Sequence, residues 1–187
     1  MKIFNLLRKL GMNYSEKTYS NVTLITVVKK VLITYRNAFL LKYILNSVVF
    51  SPINPRLLRP KVLRCIGCKV GKKVFIGSNV HIDSGYAGML IIEDNVHIAG
   101  HCIFLCHQRD LSNYFIGDDY SNLGYKIEPI HLKRGCLIGM NSLVLPGVTI
   151  GEGAIVGAGS LVVKNIPDWT IATGRPAKVV KNLVPRP

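Results

Sequence analysis

Five side chains in this 187-residue sequence can trade a proton near neutral pH: His81, His97, His101, His107 and His131. An imidazole titrates near pH 6.5, so it can take a proton from a hydroxyl and return it in the same reaction cycle. His107 opens the stretch HQRDLSNYFIGDDYSNLGYKIEP (107–129), which also carries Asp110, Asp118, Asp119 and Glu128. A general base needs an acceptor for its second ring nitrogen. Asp110 is nearest in sequence and is assigned that role; Asp118, Asp119, Glu128 and a backbone carbonyl are its rivals. A serine nucleophile would need a GxSxG-type elbow, and the sequence has none. Cys106 adjoins His107, but neighbours in extended chain point to opposite sides, which disfavours a Cys–His nucleophile. Cys65-x-x-Cys68 lacks a second ligand pair at finger spacing, so no metal is expected. Lys164, Arg175, Lys178 and Lys181 cluster near the C-terminus. Such a cluster is either a solvated basic tail or a seat for the phosphates of an anionic ligand.

The element that must position these groups repeats every six residues. Leu132, Ile138, Val144, Ile150, Val156 and Val162 are followed four places on by Cys136, Ser142, Val148, Ala154, Ser160 and Ile166. Val70, Ile76 and Ile82, then Ile92, Ile98 and Phe104, keep the same frame. Six residues turn an α-helix through about 600°, which scatters such a set around the helix. A plain strand would repeat every two. A chain that turns a corner every six residues satisfies the pattern: three short flat strands close one triangular coil, and coils stack about 4.8 Å apart. Cys68, Cys102 and Cys136 then act as compact inward fillers. The period fails over 83–91 and again over 107–129. A long loop inside a regular column is usually functional or disordered; this one starts at His107 and holds acids and tyrosines, which favours function.

Charge is uneven along the chain. Residues 1–64 carry twelve Lys and Arg against Glu16 alone, a net +11, whereas the remainder carries +3. A basic charge confined to one third argues against nucleic-acid binding by the whole protein. Aliphatics interleave with these cations, which suits either a helical cap on the column or an anionic membrane surface. The expected organisation is a basic helical cap over 1–61, a repeat column over 62–182 with a loop at 107–130, and a tail at 183–187. No cleavable signal pattern is present, so a cytoplasmic protein, peripheral at the membrane, is expected.

The segment IGMNSLVLPGVTIGEGAIVGAGSLVVKNIPDWTIATGRPAKVVKN (138–182) resembles the C-terminal signature of hexapeptide-repeat acetyltransferases. Residues 104–131 resemble their sugar and polysaccharide O-acetyltransferase branch. The resemblance covers about residues 66–182. It implies a mainly β fold, a left-handed parallel β-helix, an exception to the usual crossover hand. It also implies a homotrimer with active sites between neighbours, acetyl-CoA as co-substrate, and direct attack by a sugar hydroxyl with His107 as base. By the same resemblance, coenzyme A contacts fall on Met140, Ala158, Val163, Lys164, Lys178 and Lys181, with Arg175 in the same basic group.

Some positions depart from the family. Leu137 stands where a Trp is common, Val163 where a Thr usually precedes the cofactor-site Lys164, and Gly77 where small-sugar enzymes carry an acceptor-binding Asn. Asp83, Ser84 and Tyr86 are expected to hold the acceptor instead. A larger, polymeric or membrane-linked glycan suits the long loop and basic N-terminus. Transfer to an amine, or a non-catalytic β-helix, remains as an alternative; a three-histidine zinc site from His81, His97 and His101 would need different spacing.

Overall fold

The computed structural model describes residues 23–47 and 55–185, without the side chain of Asn122. The chain divides into two units, Met1–Phe39 and Leu40–Pro187. The first contains helix α1 (Leu24–Phe39). The second holds a short π-helical stretch (Leu40–Leu45), helix α2 (Leu58–Ile66) and a column of very short strands.

Each coil of the column supplies one strand to each of three parallel sheets. The coils are β1 (Lys69–Val70), β2 (Phe75–Ile76), β3 (His81–Ile82); β4 (Leu90–Ile92), β5 (His97–Ile98), β6 (Ile103–Phe104); β9 (Ile130–Leu132), β10 (Leu137–Ile138), β11 (Leu143–Val144); and β12 (Thr149–Ile150), β13 (Ile155–Val156), β14 (Leu161–Val162). Between the second and third coils stands a separate pair, β7 (His107–Arg109) and β8 (Tyr125–Ile127). Face A stacks β1, β4, β9 and β12; face B stacks β2, β5, β10 and β13; face C stacks β3, β6, β11 and β14. The hexad frame sets the register. Ile76 pairs with Ile98, Ile98 with Ile138, and Ile138 with Val156. The fold is thus the expected left-handed parallel β-helix.

Both inward positions of each hexad are filled as the spacing requires. Ile76, Ile98, Ile138, Ile150, Val156 and Val162 are fully buried, as are Cys102, Cys136, Ser142, Ala154 and Ser160. Burial pushes the Cys68 and Cys136 thiols up to about 12, so they pack as apolar fillers. Corners fall three residues before each inward aliphatic and need positive φ. Asn79, Asn95 and Asn141 supply it, as do Gly135, Gly147, Gly153 and Gly159. Lys73 and His101 sit in the same corner conformation. His81 and His97 lie within strands β3 and β5 and not at corners. Coils pack so closely that a Cβ added at Gly139 would lie 2.5 Å from Ala158 N.

The column's first coil donates its N–H groups downward: Gly71 to Ile92, Gly77 to Ile98 and His81 to Cys102. Lys72 and Ser78 carbonyls accept from the second coil, whereas those of Val70, Lys73 and Ile76 face the open end, where an unpaired strand edge would recruit another chain. Helix α2 closes that end. Val62, Leu63 and Ile66 are buried against the column, and the helix ends at left-handed Gly67. Arg59 donates to Ile76 O at 2.9 Å, Arg64 to Val70 O at 2.9 Å, and Arg56 to Lys73 O at 3.1 Å. Part of the basic N-terminal third is thus a cap in the hydrogen-bonding sense. The expected 61/62 boundary falls inside α2. At the other end, β15 (Thr170–Gly174) continues face B and folds back as β16 (Ala177–Asn182).

The stretch at 107–130, read as a loop without period, is built on an antiparallel hairpin. Strands β7 and β8 pair His107 with Ile127 and Arg109 with Tyr125.

Candidate active site

Both interruptions of the repeat leave the column at one corner. Strand β3 pairs with β6 in the register Ile82–Phe104. The chain departs after each, between faces C and A. Asp83 and the turn Ser84–Met89 therefore emerge one coil above the strand pair that begins at His107. The result is a hydrogen bond from His107 Nδ1 to Asp83 Oδ2. The Asp83 side chain keeps 10% of its exposure and that of His107 34%. In the neutral ring, Nδ1 donating to a carboxylate leaves Nε2 with its lone pair, the form a general base requires.

The imidazole is walled by two aromatic rings. Tyr86 lies 5.0 Å away, tilted, and Tyr125 5.3 Å away, edge-on. Arg109 fixes the hairpin carrying Tyr125. Its guanidinium sits 4.2 Å over Tyr125 and 5.0 Å over Tyr120, and donates to the Leu123 carbonyl.

The carboxylates of the long loop turn inward on the loop itself. Asp110, expected to orient His107, instead accepts from Ser112 Oγ at 2.5 Å and Ser112 N at 3.1 Å. Those bonds hold its carboxyl below the usual range. Asp119 binds Ser121, Asp118 binds the Phe115 amide, and Glu128 pairs with Lys126. Asp83, expected at the acceptor, is the acid that touches His107. Tyr86, expected at the acceptor with it, lies beside the imidazole.

The other candidates are held elsewhere. His131 Nε2 binds Glu93 at 2.7 Å, and His97 stacks on Phe75 at 4.1 Å. His101 meets Asn79 at 3.4 Å. Among the described residues no three His, Cys, Asp or Glu converge as a metal site. Cys106 is buried, and burial together with the Asp83 charge pushes its thiol up to about 11. It is therefore protonated at neutral pH and a poor nucleophile. Any side chain at Gly77 would collide with the Gly100 backbone, so an acceptor-binding group cannot stand there.

The cofactor candidates divide between two corners. Ile138, Val156 and Ala172 stack in register. Two residues further on, Met140, Ala158 and Gly174 therefore occupy successive levels of the corner between faces B and C. Gly159 N donates to Met140 O at 2.7 Å, and Met140 is 52% exposed. Arg175 stands at the tip of the β15–β16 turn, Lys178 opposite Thr173 and Lys181 opposite Ile171; all three are exposed. Val163 and Lys164, also exposed, follow β14 at the other corner, the one that carries His107 two coils above. Residues 157–159 have no side chain larger than a methyl, so a slender ligand could approach the backbone there.

Comparison with known proteins agrees with the fold and the repeat. The family described as bacterial transferase hexapeptide (six repeats) matches residues 129–164, the span of β9 to β14. A protein of Staphylococcus aureus (strain Mu50) named as an acetyltransferase is 40% identical over 115 residues, 62% of this chain and 55% of its own length. The galactoside O-acetyltransferase of Lactococcus lactis is 28% identical over 138 residues, 66% of this chain and 67% of that protein. The solved hexapeptide-repeat acetyltransferase of Vibrio cholerae with acetyl coenzyme A has a TM-score of 0.65 at 18% identity, covering 99% of this chain and 100% of that one. The chain thus spans about half the length of the Staphylococcus relative. The resemblance to the hexapeptide-repeat transferases is borne out.

Proposed function

We propose that this protein is an acetyltransferase that moves an acetyl group from acetyl-CoA to a sugar hydroxyl during cell-surface polysaccharide synthesis. The observation that carries the reading is the Asp83–His107 pair at the corner where the column is interrupted twice. Acetyl-CoA supplies a thioester already activated toward attack. His107 Nε2 takes the hydroxyl proton as that oxygen bonds the acyl carbon, and returns it to the departing sulfur. Asp83 holds the tautomer and offsets the imidazolium charge while the proton resides there. No acyl-enzyme forms, in keeping with the protonated Cys106.

The same reading takes the active unit as a homotrimer. One protomer carries His107 at one corner and Met140 with Ala158 at another. A groove between neighbouring columns would bring the first corner of one copy to the second corner of the next. The two tyrosines beside His107 offer aromatic faces to the apolar side of a sugar ring. The basic N-terminal third gives the enzyme a peripheral contact with a membrane surface, with the catalytic column in the cytoplasm.

The test is acetyl-CoA consumption against a panel of nucleotide sugars, lipid-linked sugars and oligosaccharides. A glycan acceptor whose product loses acetate in mild base is the expected result. A base-stable amide would move the reaction to an amino sugar or other amine. A protein that neither consumes nor binds acetyl-CoA would be a scaffold. The basic cluster is tested separately. The paired change Lys164→Ala and Lys178→Ala should weaken coenzyme A by about tenfold or more, since charged hydrogen bonds contribute about 1.5–3 kcal/mol each. Dephospho-coenzyme A should lose less. Equal loss for both would put these lysines away from the 3′-phosphate.

A further inference from the structure

The basic N-terminal third divides into two parts with different work. Arg56, Arg59 and Arg64 bond the carbonyls at the open end of the column. Helix α1 belongs to the other unit and has no part in those bonds. Its residues Leu24, Val28, Val31, Leu32 and Tyr35 recur at three- and four-residue intervals, which sets them along one stripe. All five are exposed, at 61, 48, 46, 63 and 74%. Thr26, Lys29, Lys30 and the buried Asn37 lie on the other side of the helix, together with the half-exposed Ile33. No acidic residue occurs between Glu16 and Asp83.

An apolar groove on a protein partner would account for the stripe but not for a helix that carries Lys29, Lys30 and Arg36 with no acid from residue 17 to its end. An anionic lipid surface accounts for both, because acyl chains take the stripe and headgroups attract the cations. No described helix is long and apolar enough to cross a membrane. We propose that α1 lies in the plane of an anionic lipid surface, with Leu24, Val28, Val31, Leu32 and Tyr35 at the boundary between headgroups and acyl chains. This rests on the membrane contact proposed above and names the element that makes it. It also fits an acceptor glycan carried on a lipid anchor.

The experiment is flotation of the full chain with phosphatidylcholine vesicles, with and without phosphatidylglycerol. The protein should co-float with the anionic vesicles at least about tenfold better than with neutral ones, and high salt should weaken the difference. Val28→Asp with Leu32→Asp should lower flotation at least about tenfold, and Lys29→Gln with Lys30→Gln several-fold. Coenzyme A binding and transfer to a soluble acceptor should stay unchanged in both, which shows that the column is folded. A parent chain that stays in the soluble fraction, or an Asp pair that floats as well as the parent, overturns the proposal. So does an Asp pair that instead dissociates an assembly, because the stripe would then belong to a second copy. Flotation without any acetyl transfer would count against the proposed reaction and leave the role of α1 standing.

Discussion

His107→Ala is expected to lower turnover by about 10²- to 10⁴-fold, the usual contribution of a positioned general base. Coenzyme A affinity should stay within about twofold, because the ring is not among the candidate cofactor contacts. The reasoning is specific to the tautomer. Asp83 accepts the hydrogen bond from Nδ1–H, so Nε2 is free to accept the proton of the attacking hydroxyl. Alanine removes that acceptor and leaves water in its place. The fold should survive, since the side chain is one-third exposed and belongs to the β7–β8 hairpin, outside the packed column. Steady-state kinetics with coenzyme A binding measured in parallel separates the cases. A variant with full turnover would remove His107 from the chemistry. A variant that also loses coenzyme A would place the ring at the cofactor.

Much of the architecture was legible because the hexad is a strict geometric signal. One aliphatic and one small residue per six positions, carried through four coils, fits few other chain paths. The corners were harder to read, since Lys73 and His101 adopt a conformation that composition assigns to Gly or Asn. The hairpin at 107–127 was hidden by its polar, aromatic composition, and its pairing rests on Arg109 laid over Tyr125. The acid beside His107 was missed because nearness in sequence was weighed above nearness in the coil. The signal was present: Ile82 and Phe104 hold the same slot of successive coils, and the repeat breaks after each. Residues just past those two points must share a corner, which is where Asp83 and His107 lie. The N-terminal third has no six-residue period, and its first 22 residues lie outside those described. There, charge and the aliphatics between the cations were the readable features, and the arginine bonds of the cap account for only part of the charge.

Asp83→Asn tests whether the acid positions His107 or holds the acceptor, the role that sequence alone suggested. Asparagine keeps the shape and still offers an oxygen to Nδ1–H, but it cannot offset an imidazolium charge. A charge-assisted hydrogen bond is worth about 1.5–3 kcal/mol and a neutral one about 0.5–1.5. The difference, about 1–1.5 kcal/mol, predicts turnover lower by about five- to tenfold, with the acceptor KM little changed. An acceptor-binding role would give the opposite split: a raised KM at nearly constant turnover. Asp110→Asn is the control. Its carboxylate bonds only within its own turn to Ser112, so turnover should stay within about twofold. If Asp110→Asn proved the damaging change and Asp83→Asn the harmless one, the Nδ1 bond would have no part in catalysis. The corner shared by the two breaks would then be a matter of packing, and the base would have to be sought among the remaining histidines.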